Sequence, residues 1–488
     1  MREDAGKVYL VGAGPGDEGL ITEKGKRSIT AADVIVYDRL VNARLLEHAK
    51  DTCEFVYCGK LPKHHVMRQE QINQVLVRYA QEGKTVVRLK GGDPSVFGRV
   101  GEEAAELAVR GIPYEMVPGV TSSIAAAAYA GIPVTHREYS NTFTMATGHC
   151  KEDSTDLDFA ALAKSKTAAF YMGIQNLSYL SSQLIANGRD RQTPVAVIEW
   201  GTTGRQKTVL GTLASIQQRV TEAGIANPAM TVIGEVAQLR RELAWFEEKP
   251  FYGKRVLVAK AAAERSDIAA YLAENGADVW EIPHFRKRAL KLAETEVRRV
   301  LEADRVVFYA PDSVAFFMEA ILVCGLDVRD LPRRMEGVSA KSVEVLGQYG
   351  IRAGLVQPAD GETLYIGRAL SLAEEEKLQA AWGRGVFLAT HQLEHDARFD
   401  EVSERMWTEF PWETVMFPNQ AAVAAFVAEM ERMGVDKAIY TALSYACIGK
   451  TTEDLARAYG FTRRDELQTM LQKQEWKKSC APAAAPLR

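Results

Sequence analysis

Short apolar runs recur along the first half of the chain at Val8 to Val11, Val34 to Tyr37, Phe55 to Tyr57, Val86 to Leu89 and Tyr114 to Val117. Each is too short for a helix and rich in β-branched or aromatic residues, so each reads as a strand. Between them lie segments with helical spacing, Gln69 to Gln81 and Gly101 to Arg110. This alternation predicts a parallel or mostly parallel sheet covered by helices. A second α/β unit is expected from near Tyr139, with strands at Thr142 to Ala146, Ala168 to Tyr171, Val195 to Glu199 and Met230 to Ile233. The small-residue helix Ser122 to Ala130 falls between the two units. Two lobes imply a cleft, and ligands favour clefts.

The pattern changes after Trp245. Glu247 to Gly253 (EEKPFYG) carries charge, Pro and Gly and reads as a linker. Gly253 to Pro283 then reads strand, helix, strand and opens a new module. An internal repeat follows. VVFYAPDSVAFFMEAI from Val306 aligns with VMFPNQAAVAAFVAEM from Val415, an offset of 109, and GVSAKSVEVLGQYG from Gly337 aligns with CIGKTTEDLARAYG from Cys447, an offset of 110. The expected organisation is a two-lobed α/β domain over 1–247, a second domain of two related α/β halves over 248–475, and a low-complexity, disordered tail over 476–488.

One strand end stands out chemically. In TVVRLKGGDPSVFGR, Thr85 to Arg99, the strand stops at Gly91 and Gly92, and Asp93 and Pro94 fix the turn. Two glycines reach backbone angles closed to other residues and let a ligand approach the main chain. Strand ends rebuilt this way are usual ligand positions in open α/β sheets, although an ordinary turn asks for the same residues. The opening VYLVGAGPGD, Val8 to Asp17, is also glycine-rich. A dinucleotide fingerprint would need its third glycine where this chain has Asp17, and Pro15 removes a backbone N–H from the loop, which argues against a nicotinamide dehydrogenase.

At 488 residues the chain exceeds one hydrophobic core, and 47% hydrophobic and 25% charged residues are those of a globular protein. A net charge of −4 argues against a general nucleic-acid binder. The six cysteines form no C-x-x-C pair, so no disulfide framework, zinc ribbon or other metal site is indicated, and the cytoplasm is the expected compartment. No apolar stretch is long enough to span a membrane.

The strand-end segments, taken together with YDRLV (Tyr37 to Val41), CGK (Cys58 to Lys60), VPGVTSS (Val117 to Ser123), GIPVTHR (Gly131 to Arg137), TGH (Thr147 to His149) and YMG (Tyr171 to Gly173), resemble the tetrapyrrole methylases, and among them the uroporphyrinogen-III C-methyltransferases. The resemblance covers roughly residues 5 to 246. It implies S-adenosyl-L-methionine as cofactor, a tetrapyrrole substrate in sirohaem or cobalamin synthesis with precorrin-2 as product, and a homodimer. Methyl transfer from a sulfonium to a pyrrole β-carbon asks the protein to align donor and acceptor and then remove a proton. Asp38, in YDRLV, falls on the family's proposed general base; taken alone it could equally be a helix cap or a surface charge. Lys60 falls on the proposed proton-handling lysine, though a cation positioned for a propionate explains it equally well.

Cofactor contacts implied by the resemblance are Pro15, Gly91, Gly92, Asp93, Val96, Thr121, Ser122, Met172 and Gly201. Val96 stands where relatives often have Ile, and Met172 could equally be core packing. The substrate is a polycarboxylate. Between Asp38 and Arg99 eleven Lys and Arg stand against seven Asp and Glu, and Arg39, Arg88 and Arg99 are the candidate carboxylate ligands beside Lys60.

The second domain resembles the uroporphyrinogen-III synthases over roughly 250 to 475. Family members usually carry Thr-Ser where this chain has Tyr309 and Ala310, and again where it has Pro418 and Asn419. Loss of hydroxyl-rich turns that would bind bilane carboxylates predicts weak or absent synthase activity. Three readings follow: a bifunctional enzyme, a methyltransferase with a binding or docking second half, and a methylase of the same fold acting on ribosomal RNA, which would be expected to show a basic surface.

Overall fold

The computed structural model describes residues 6–59, 67–148, 157–359 and 361–472. Strands β1 (Val8–Gly12), β2 (Val34–Tyr37), β3 (Glu54–Tyr57), β4 (Val86–Lys90) and β5 (Tyr114–Val117) form a sheet in the order β3-β2-β4-β1-β5, with every pairing parallel. All of β2 and β4 is buried. A parallel sheet covered on both faces selects continuous apolar runs over alternating ones, which is why VIVY reads as a strand. One face packs Val8, Val34, Val36 and Val86 against Ile72 and Leu76 of the helix Gln69–Gln81. Full burial of each such side chain contributes about 2 kcal/mol before its entropy cost.

The second sheet contains β6 (Phe143–Thr147), β7 (Thr167–Tyr171), β8 (Pro194–Glu199), β9 (Lys207–Thr212) and β10 (Ala229–Ile233), in the order β6-β7-β10-β8-β9. Only β6 and β7 pair in parallel; β7-β10, β10-β8 and β8-β9 are antiparallel. The expected parallel sheet is thus the first one; the second α/β unit is mainly antiparallel, with β8 returning directly as β9 across a short loop. The helix Ser122–Tyr129 packs Ala126 and Ala127 against Ala169, Ala196 and Ile198 of this sheet. Its small side chains allow close approach: a Cβ on Gly201 would collide with Ala126.

The chain continues with β11 (Arg255–Ala259) and β12 (Asp278–Ile282). It then builds β13 (Phe285–Ala289), β14 (Val306–Phe308), β15 (Met335–Gly337), β16 (Gly354–Leu355), β17 (Thr363–Arg368) and β18 (Gly385–His395), and returns as β19 (Thr414–Phe417) and β20 (Ser444–Cys447). One sheet runs β12-β11-β19-β20, the other β13-β18-β17-β14-β15-β16. The sequence repeat is visible as a strand and helix, Val306–Phe308 with Pro311–Val323, matching Thr414–Phe417 with Gln420–Arg432. The order β12-β11-β19-β20 also corresponds to β18-β17-β14-β15, parallel throughout, so the two halves share one architecture with the chain entering at different strands.

Contacts divide the chain into two compact units, one from the described residues of Met1–Lys260, Arg265–Ile282 and Arg398–Arg488, the other from Ala261–Glu264 and Pro283–Ala397. The division does not follow the linker at 247–253. Within the first unit a single apolar core joins Val11, Ile35, Val87 and Leu89 of the first sheet to Leu257, Trp280, Val415 and Phe417 of β11, β12 and β19. No helix among the described residues is long and apolar enough to cross a membrane.

Candidate active site

Three loops meet at the carboxyl ends of β1, β4 and β5, the usual ligand edge of a parallel sheet. Gly14 and Gly92 form an antiparallel bridge, with Gly92 N–H donating to the Gly14 carbonyl at 2.7 Å and Gly14 N–H to that of Gly92 at 3.2 Å. Asp93 holds the turn, its carboxylate accepting from Ser95 N–H at 2.7 Å and Gly119 N–H at 3.0 Å. Gly92 has φ +72°, and a Cβ there would meet nothing closer than the Ser122 nitrogen at 3.9 Å. The space beside it is open, so a cofactor pressed against the backbone fits. Gly91 is a glycine for another reason: a Cβ would come within 2.8 Å of the Leu40 Cβ.

The loop after β1 is anchored rather than dinucleotide-binding. Asp17 N–H donates to Thr202 Oγ1 at 3.0 Å, and its carboxylate accepts from Tyr129 Oη–H at 2.6 Å. Asn42 donates to the Gly16 carbonyl at 2.7 Å, tying the loops after β1 and β2 together. Pro15 and Arg39 line one cavity in this region.

Asp38 stands just past the end of β2 with 28% of its side chain exposed. One oxygen accepts from Leu40 N–H at 3.1 Å and the other faces Arg88 Nη2 at 3.5 Å. Arg88 is 3% exposed and also donates to the Val36 carbonyl (3.3 Å), the Leu89 carbonyl (3.0 Å) and Glu103 (3.3 Å). Arg88 thus differs from its reading as an open carboxylate ligand: it lies in the middle of an all-buried strand, its guanidinium bonded within the protein and one arm on Asp38. Lys90, two residues on, donates to the same Glu103 at 2.8 Å, and burial, with Arg88 nearby, pulls its ammonium below the usual lysine range. Arg99 is an exposed residue with φ +58°, paired with Glu102 at 2.7 Å. Arg39 is exposed and lies 3.7 Å from Glu409. Lys60 and His149 lie outside the described residues.

Across the cleft, Tyr171 at the end of β7 binds the helix bearing Ser122. Its hydroxyl contacts Thr121 Oγ1 and donates to Ser123 Oγ at 2.9 Å, and it accepts from Ser123 N–H at 3.2 Å. Its ring lies 4.9 Å from Phe97, in the turn that also carries Val96. Met172 is 51% exposed with φ +53°, so it is not core packing. Trp200 (φ +46°) and Thr202 (φ +71°) flank Gly201. Tyr171, Phe97 and Trp200 were not singled out from sequence, although YMG contains the first and the segment through Arg99 the second.

Residues 7–217 match the family described as Tetrapyrrole (Corrin/Porphyrin) Methylases, and residues 215–331 match Uroporphyrinogen-III synthase HemD. A Bacillus subtilis (strain 168) protein named uroporphyrinogen-III C-methyltransferase is 42% identical over 97% of this chain and 98% of its own length. One of the same name from Priestia megaterium is 57% identical, over 47% of this chain and 98% of its length. The siroheme synthase of Pseudomonas fluorescens (strain Pf0-1) is 51% identical over 50% of this chain and 52% of its own. The solved uroporphyrin-III C-methyltransferase of Thermus thermophilus complexed with S-adenosyl homocysteine is 37% identical, covering 48% of this chain and 94% of its own, with a TM-score of 0.42. With a relative similar over nearly its whole length and a family match across the lobe that carries Asp38 and Gly92, the chain belongs to the tetrapyrrole (corrin/porphyrin) methylases.

Proposed function

We propose that the protein is an S-adenosyl-L-methionine-dependent uroporphyrinogen-III C-methyltransferase whose product, precorrin-2, leads to sirohaem or cobalamin. The observation that carries this reading is the open side of Gly92 beside Ser122, on the same sheet edge as Asp38. The cofactor supplies a methyl group as an electrophilic sulfonium. Gly92, Asp93, Val96, Thr121, Ser122, Met172, Pro15 and Gly201 would hold it, Gly91, Asp93 and Gly201 by shaping turns. Asp38 accepts the proton that the methylated pyrrole must lose, and Arg88 positions Asp38 from below. Arg39, Arg99 and Lys60 are proposed to meet substrate carboxylates, and the family resemblance also implies proton handling for Lys60. Residues 1–247 form the methylase and 248–475 the synthase-like region, in a cytoplasmic homodimer as the family resemblance implies.

For the synthase-like region, weak or absent activity is favoured by how its strand-end turns use their polar groups. Asn419 accepts from Ala422 N–H at 2.9 Å and Ser339 from Ser342 N–H at 3.1 Å, each capping its own helix. Tyr309 Oη–H donates to the Arg368 carbonyl. The test supplies the full chain with uroporphyrinogen III or with hydroxymethylbilane, each with S-adenosylmethionine. Methylated product is expected from uroporphyrinogen III, and mainly the spontaneous type I isomer from the bilane. Type III product at an enzyme-like rate would establish the bifunctional reading instead, and no methyl transfer from either would refute the proposal.

A further inference from the structure

The helix Asp400–Glu409 belongs to the first compact unit and carries Arg405, which is 3% exposed. Among the described residues its Nε and Nη2 have no hydrogen-bond partner, and its Nη1 lies 3.8 Å from Glu409 Oε2. The guanidinium sits against the ring of Tyr57 at 4.8 Å. A buried guanidinium with two nitrogens unsatisfied is costly unless something else accepts from them. Arg405 lines a cavity with Pro15, Arg39, Asn42, Arg44 and Arg205. Two of these cations are already answered, Arg44 by Glu18 at 3.1 Å and Arg205 by Asp278 and by stacking 4.2 Å over Trp200. The other two, Arg39 and Arg405, share Glu409 Oε2, which lies 3.7 and 3.8 Å from them and accepts a hydrogen bond from neither. Asp17, held by Tyr129, also lines the cavity, so its charges balance, and what stays unanswered there is the Arg405 guanidinium with its loosely held Glu409.

We infer that this cavity accepts a carboxylate of the tetrapyrrole substrate, so that Arg405, supplied by the synthase-like region, completes the substrate site of the methylase lobe. The inference rests on the proposed methyltransferase reading. It gives the second region a role in methyl transfer that needs no synthase chemistry, and it is consistent with the single apolar core joining the two.

The experiment uses the full chain and uroporphyrin III, the stable oxidised form of the substrate, followed by fluorescence titration, with S-adenosylhomocysteine calorimetry as the control. Arg405→Gln is expected to weaken uroporphyrin binding about tenfold and to raise KM more than it lowers kcat, with cofactor affinity unchanged. Glu409→Gln removes the competing carboxylate and is expected to tighten uroporphyrin binding by roughly threefold, the opposite of what loss of a structural ion pair would do. Unchanged or weaker binding by Glu409→Gln overturns the inference, as does unchanged binding by a folded Arg405→Gln. If Arg405→Gln does not fold, Glu409→Gln decides alone. Wild-type protein that binds the cofactor analogue but no uroporphyrin would overturn the substrate reading itself.

Discussion

The strand-end turns of the methylase lobe and those of the synthase-like region start from the same architecture, a parallel strand leading into a helix, and finish differently. At the end of β4, Gly92 leaves open space where a side chain would be. At the end of β17, a Cβ on Gly367 would fall on the ring of Tyr309, which stands where the synthase resemblance implies the smaller threonine. Among the described residues, all five non-glycine positions with positive φ, Phe97, Arg99, Met172, Trp200 and Thr202, belong to the methylase lobe. Strained backbone persists where surrounding structure imposes it, and it clusters at working sites. In the synthase-like region the turn after β14 is filled by Tyr309, whereas the turn after β20 leaves Gly449 open. The contrast is the one expected if the proposed methyl transfer takes place in the first lobe.

Four substitutions can break or sharpen this contrast. Asp38→Asn keeps shape but cannot accept a proton, so kcat should fall on the order of a hundred- to ten-thousandfold while cofactor affinity holds; near-normal turnover removes Asp38 from the mechanism. Tyr309→Thr reopens the filled turn and should lower the stability of the unit containing Pro283–Ala397 by roughly 3 kcal/mol, with methyl transfer unchanged, as denaturant unfolding would show. Gly92→Val places methyl groups in the open space and should weaken S-adenosylhomocysteine binding roughly 100-fold by calorimetry, about 2.7 kcal/mol, with a further 1–2 kcal/mol or so lost from folding because φ is positive.

The smallest effect concerns Asp312, at the turn after β14. Burial works against its charge, but hydrogen bonds with His391 and Lys287 outweigh that and hold the carboxyl well below the usual carboxylate range. A carboxyl depressed on folding adds stability above its unfolded pKa and loses it as pH falls toward the folded value. The unit should therefore soften below about pH 4. Asp312→Asn should remove that component of the acid sensitivity at a cost of about 1 kcal/mol at neutral pH, read from melting curves across pH.

Much of this was legible because burial on both faces writes itself into sequence as unbroken apolar runs. VIVY and VVRLK mark β2 and β4, and the GGDP turn marks the open edge. The same rule held the signal for Arg88: an arginine inside a strand read as buried had to be buried and bonded, which makes it a support for Asp38. β9, KTVLGT, was not legible because none of its residues is buried and its polar ends break the run. The antiparallel pairings of the second sheet depend on strand order, which local pattern does not encode. Arg405 could not be read either, since it lies more than three hundred residues from Asp38 and reaches the same region only through the shared core.

The most direct measurement is a crystal structure of the full chain with S-adenosylhomocysteine. The account predicts the nucleoside and sulfur between the open side of Gly92, the Thr121–Ser122 turn and Met172, with Asp38 at the same cleft. Density for the ligand at the turns around Tyr309 or Asn419, or against the methylase lobe away from Gly92, would contradict it.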